Sequence, residues 1–223
     1  LTAFFYAASA MRRANNGEEV GAKALRIATP LLKMMACRDN VPVATASMET
    51  RGGLGYIEEW VNARLIRDAQ IGLLWEGTSN INALDVISRA VGKEQAEEAL
   101  REDIAQWLDA AKECPGQLKG RLLQTLDRAI EFARLVASDP QNEQYCRQAA
   151  TGLYNAQTAA LMAAEGAVLG ASGGDARRLL IARLALDRRL NMADPLTLNG
   201  NSFEADASML LLEDAPISLE NAQ

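Results

Sequence analysis

A carboxylate set between a large aromatic ring and a glycine, Trp75-Glu76-Gly77, with Thr78-Ser79-Asn80 after it, is the group in this chain best placed to move a proton. Gly77 breaks the chain, Thr78 or Ser79 supplies a hydroxyl of the kind that caps a helix, and Ile81, Leu84, Ile87 and Val91 recur at helical spacing. Glu76 therefore stands just ahead of a helix N-terminus, where partial positive charge and unpaired amides suit a carboxylate or a phosphate group equally well. Two readings stay open: a general base held at a turn, or a carboxylate that only favours the helix dipole. Trp75 likewise reads as a substrate wall or as core packing. Upstream, Gly52, Gly53 and Gly55 form a second turn whose amides a ligand could approach closely.

Other chemistries are excluded by what the chain lacks. It has no histidine, which removes Ser-His and Cys-His nucleophilic schemes and most zinc sites. Its three cysteines, Cys37, Cys114 and Cys146, are odd in number and show no metal-ligand pairing, so no metal site is expected and a reduced, cytoplasmic setting fits. Cys37 shares a helix face with Leu31, Met34 and Met35 and reads as a small core residue.

The elements that must position these groups are helices. The 223 residues are 49% hydrophobic but only 5% aromatic, and strand-like alternation is nearly absent. Residues 1–16 predict one helix, ended by Asn15-Asn16-Gly17, and 18–38 a second, bent at Pro30. Residues 43–50 and 58–71 predict helices around the glycine turn, and 78–91 a helix closed by Gly92. Beyond it come amphipathic stretches over 94–113, 117–138, 141–170 and 175–192, then a tail from Ala193 that reads as irregular. The expected fold class is all-α: an up-and-down four-helix-type bundle over 1–93, followed by a second helical region over 94–223. No run of eighteen apolar residues occurs, so no membrane span is expected.

The order glycine turn, Arg67-Asp68-Ala69, Trp75-Glu76-Gly77-Thr78, then helix resembles the C-terminal helical domain of the acyl-CoA dehydrogenases, FAD enzymes that desaturate acyl-CoA thioesters. The resemblance implies that Glu76 takes the α proton while a hydride goes to the flavin. It places Thr78 and Asn80 on FAD, and Glu49, Gly52 and Gly53 on a segment that approaches FAD bound mainly by a neighbouring subunit. The family usually has glutamine where this chain has Glu49. It also implies an acyl-CoA substrate, a homo-oligomer, and electron-transfer flavoprotein as a candidate partner. A thioester α proton is weakly acidic, so such a base must be positioned, partly desolvated and helped by groups that stabilise an enolate. The chain starts at Leu1 inside an apparent amphipathic helix and reads as the C-terminal part of a longer protein. FAD is then expected in the parent, and this chain alone is expected to be colourless and inactive.

Ile27-Ala28-Thr29-Pro30, Met48-Glu49 and Gly52 to Glu59 look more narrowly like the adaptive-response branch of that family, linked to DNA alkylation damage. That likeness implies an alternative function, a flavin-fold protein that associates with DNA. Arg177, Arg178, Arg188 and Arg189 would form a basic stripe on one helix face, as phosphate binding needs. Against it stand 29 acidic and 23 basic residues, a net charge of −6, and solvated helix faces use arginine just as readily. Arg183 lies off the stripe and is expected to pair with Asp187.

Overall fold

Every regular element among the described residues is helical, as the composition predicts; the computed structural model describes residues 1–75, 78–192, 194, 196 and 202–223. A hairpin of α1 (Thr2–Asn15) and α2 (Glu19–Glu49) is followed by α3 (Gly53–Tyr56) and α4 (Val61–Ile71). Then comes α5 (Ser79–Leu84), which runs on as a π-helical turn over Asp85–Val91. The second half comprises α6 (Ala96–Ala110), α7 (Gly116–Ser138), a 3₁₀ turn (Pro140–Tyr145), α8 (Cys146–Ala171), α9 (Arg177–Arg189), α10 (Ser202–Leu212) and α11 (Leu219–Ala222).

α2 departs from the sequence expectation, because it continues through both Pro30 and Pro42 where a bend and a break are predicted. An interior proline costs about 3 kcal/mol. Here the helix is held on several sides by α1, α4, α5 and α6, and it buries Ala24, Ile27, Leu31 and Met34 completely or nearly so. Packing of that face outweighs the local penalty. The hydroxyls of Thr29 and Thr45 also donate to the carbonyls of Leu25 and Val41, next to the two breaks in the ladder.

The tail differs as well. Within residues 202–223, Ser202–Leu212 form α10 and Leu219–Ala222 form α11, where irregular chain is predicted. The reason is tertiary: Ala207, Ile217 and Ala222 are buried against the rest, and the Ile217 amide donates to Asp175 Oδ1 at 3.1 Å.

Buried apolar residues form one continuous cluster from Ala3 to Ala222. α8 lies at its centre, touching α1, α2, α5, α6, α7 and α9. A helix with many packed neighbours must be narrow and apolar where they meet it, and the inward faces of α8 meet both needs with fully buried Ala149, Ala150, Ala159, Ala160 and Ala163. The two halves of the chain are also joined by a polar tie. Tyr6 Oη on α1 donates to Asp103 Oδ2 on α6 at 2.9 Å, and the Arg13 guanidinium grips both oxygens of the same carboxylate. Among the described residues no helix is long and apolar enough to cross a membrane.

Candidate functional site

Glu76 and Gly77 lie outside the described residues, so the site is built from the two flanks that hold them. On the N-terminal flank, the Gly72 carbonyl at the end of α4 accepts from Lys33 Nζ on α2 at 3.1 Å. The amides of Leu73, Leu74 and Trp75 then turn back onto Gln70 and Ile71 carbonyls. This flank ends in solvent: Leu74 is 69% and Trp75 64% exposed. The core-packing alternative for Trp75 is thereby removed.

On the other flank, Thr78 takes the N-cap position of α5 with extended backbone, but its hydroxyl makes no capping bond. Its carbonyl instead accepts from the backbone and side-chain nitrogens of Asn82. Ser79 Oγ accepts from Arg38 Nη1 on α2 at 3.4 Å, and Asn80 Oδ1 from Arg147 Nη1 on α8 at 3.5 Å. Neither arginine has a carboxylate partner among the described residues. The head of α5 therefore sits between two guanidiniums, brought from distant parts of the chain, that no described carboxylate compensates. That field suits a phosphorylated or carboxylate group.

The glycine turn lies at the far end of α2. Gly52 has φ +57°, a backbone conformation that only glycine adopts without strain. Gly55 has ordinary angles but packs so closely that an added Cβ would fall 2.3 Å from the Met48 carbonyl oxygen. Gly53 is open, and a Cβ added there would meet nothing within 4 Å. Buried Asn62 on α4 pins the turn by accepting from Arg51 Nη1 at 2.7 Å and donating to Ser47 Oγ at 3.2 Å. In the Arg67-Asp68-Ala69 step, Arg67 forms a two-point ion pair with Glu58 and Asp68 pairs with Arg64, all on the surface. The Arg67 hydrogen bonds hold the Glu58 carboxyl below its ordinary range.

The residues singled out in the sequence thus fall into two groups. Thr78 and Asn80 share the head of α5, next to Arg38 on α2. Glu49 lies about 16 Å further along α2, from eleven residues at 1.5 Å rise each, and Gly52 and Gly53 lie in the turn beyond it. All five are exposed. Sequence periodicity does not reveal Arg38 or Arg147 as members of the site, since their convergence depends on how α2, α5 and α8 pack. Nor does it reveal an apolar surface that Leu54, Tyr56, Trp60, Leu74, Trp75 and Ile81 leave in solvent.

The basic stripe is neutralised. Arg177 pairs with Asp175, Arg178 with Glu165, Arg188 with Glu204 and Arg189 with Asp39. Asp187 pairs with Arg121 and not with Arg183, whose guanidinium lies 3.5 Å over the Phe203 ring. The tail helix α10, unforeseen in the sequence, supplies both Glu204 and Phe203.

Comparison with known proteins bears on the same region. The family profile described as acyl-CoA dehydrogenase, C-terminal domain, matches residues 3–92. Acyl-CoA dehydrogenase family member 11 of Caenorhabditis elegans is 37% identical over 109 residues, 49% of this chain and 18% of its own length. The putative acyl-CoA dehydrogenase AidB of Escherichia coli is 40% identical over 76 residues, 34% of this chain and 14% of its own. These matches span under a fifth of either relative. The crystal structure of C. elegans ACDH-11 in complex with C11-CoA aligns with a TM-score of 0.73 over 96% of this chain and 38% of that one. At 23% identity, that likeness is one of fold.

Proposed function

We propose, from the premise that residues 3–92 are an acyl-CoA dehydrogenase C-terminal domain, that the protein introduces an α,β double bond into acyl-CoA thioesters. Glu76 is the base. Its carboxylate takes the α proton of the thioester as the β hydrogen leaves with its electron pair. Bound FAD would supply the acceptor for that hydride. The observation that carries the reading is a family match running through the whole of the Trp75 to Asn80 motif.

The described residues fit a flavin dinucleotide, which carries a pyrophosphate. Among the described residues no carboxylate pairs with Arg38 or Arg147, which bring positive charge to the head of α5, and Thr78 and Asn80 present exposed polar atoms there. Glu49, Gly52 and Gly53, at the other end of α2, would meet a cofactor held mainly by a second subunit. The exposed apolar surface around Trp60 and Trp75 supports association with further domains or with a second copy. Residues 94–223 form an additional helical region that braces the bundle through α6 and α8. A cytoplasmic flavoprotein of fatty acid metabolism, reoxidised by an electron-transfer flavoprotein, completes the reading. The DNA-associated alternative is not taken up, because the arginines that favoured it are each paired with a carboxylate.

Replacement of Glu76 by Gln in the complete protein is the test. Loss of a positioned base lowers rates by about 10²–10⁴-fold. Flavin reduction by acyl-CoA should fall by that factor while flavin content and acyl-CoA affinity persist. Full-rate reduction in the Gln variant would remove Glu76 from the chemistry.

A further inference from the structure

The surface between α7 and α8 is hollowed into an open groove of about 900 Å³. α7 lines it with Arg128 and Phe132, and α8 with Arg147, Gln148, Gly152 and Asn155. All of these lie outside the segment that matches the family profile; Arg147 alone is shared with the head of α5, and the rest of the lining does not depend on the dehydrogenase reading.

Charge is the first indication. Of the three arginines on α7, Arg121 is paired with Asp187 and Arg134 with Glu97 and Glu98. Arg128, between them, has no ion pair among the described residues, and Arg147 across the groove reaches only the neutral Asn80 oxygen. In a chain with net charge −6, carboxylates are plentiful, yet no described one pairs with either cation. Two uncompensated guanidiniums facing one hollow make a site for an anion with several oxygens.

Gly152 is the second. It interrupts an alanine-rich helix, where glycine costs about 1 kcal/mol relative to alanine. No internal contact demands it, since a Cβ placed there would meet nothing within 4 Å. The missing side chain keeps the groove open beside bare backbone. The third indication is the mixture of linings: an aromatic ring from Phe132, side-chain amides from Gln148 and Asn155, and the two arginines. Stacking, hydrogen bonding to ring heteroatoms and phosphate binding are the needs of one ligand class.

We propose that the α7–α8 groove binds a nucleoside phosphate, with the base against Phe132 and the amides, and the phosphate on Arg128 and Arg147. The shared chemistry is an adenosine-phosphate group, presented by a free nucleotide or by the nucleotide end of coenzyme A. A nucleic-acid duplex fits less well. It needs an extended basic surface, whereas Glu131 lines the same groove and Arg189 at its end is paired with Asp39.

Isothermal titration of the 223-residue chain with ADP, coenzyme A, inorganic phosphate and a short DNA duplex tests this. ADP and coenzyme A should bind; equal affinity assigns the site to free nucleotides, and tighter coenzyme A to the cofactor's nucleotide end. Arg128→Gln and Arg147→Gln, both at exposed positions, should each weaken binding about tenfold. Gly152→Leu should block it while circular dichroism and the thermal midpoint hold. The proposal is overturned if neither ADP nor coenzyme A binds at millimolar concentration, if inorganic phosphate binds as tightly as ADP, if the duplex binds more tightly than ADP with steep salt dependence, or if Gly152→Leu leaves ADP affinity unchanged.

Discussion

Asp103 shows how one carboxylate ties distant parts of the sequence together. It is 1% exposed on α6 and receives the Arg13 guanidinium and the Tyr6 hydroxyl, both from α1. A buried charge persists only when its lone pairs are met, and here two donors meet them. Burial and the adjacent Asp103 charge push the Tyr6 hydroxyl far above its ordinary pKa, so this phenol stays a donor at any physiological pH. Asp103→Ala would leave Arg13 part-buried without its partner and should cost about 3–5 kcal/mol. Tyr6→Phe removes one hydrogen bond to a charged acceptor and keeps the ring, and should cost about 2 kcal/mol. Urea unfolding checks both, and equal losses would contradict this ranking.

At the scale of elements, the turn after α2 separates three glycines that look alike in the sequence. Gly52→Ala must hold a left-handed backbone and should lose about 1–2 kcal/mol. Gly55→Ala must push its methyl against the Met48 carbonyl, and should lose about 1–3 kcal/mol by displacing the turn. Gly53→Ala meets open space and should be neutral or stabilising by a few tenths of a kcal/mol. Thermal unfolding of the three variants gives the order. If Gly53→Ala proved the most damaging, the packing described for this turn would be wrong.

At the scale of the whole molecule, one core runs from α1 to α11. Residues 1–93 would present to water the faces of α1 and α2 that α6 and α8 cover. The complete chain should therefore unfold in a single transition, with tryptophan fluorescence and far-ultraviolet circular dichroism coincident in urea. A fragment ending at residue 93 should show a broad transition and bind a hydrophobic dye. Two well-separated transitions in the complete chain would mean that the helical region after residue 93 folds on its own.

The helices, the turn at Gly52 and the order of motifs around Glu76 were legible in the sequence because each depends on neighbours a few residues away. Helical periodicity, the conformational freedom of glycine and the spacing of Trp75, Glu76 and Thr78 are all local properties. The passage of α2 through Pro30 and Pro42, the folding of the tail into α10 and α11, and the pairing of the four stripe arginines were decided by tertiary packing. So was the meeting of Arg38 and Arg147 at the head of α5. Each of these sets a local preference of a few kcal/mol against burial or charge pairing between residues far apart in the chain, and no pattern along a single helix carries that information.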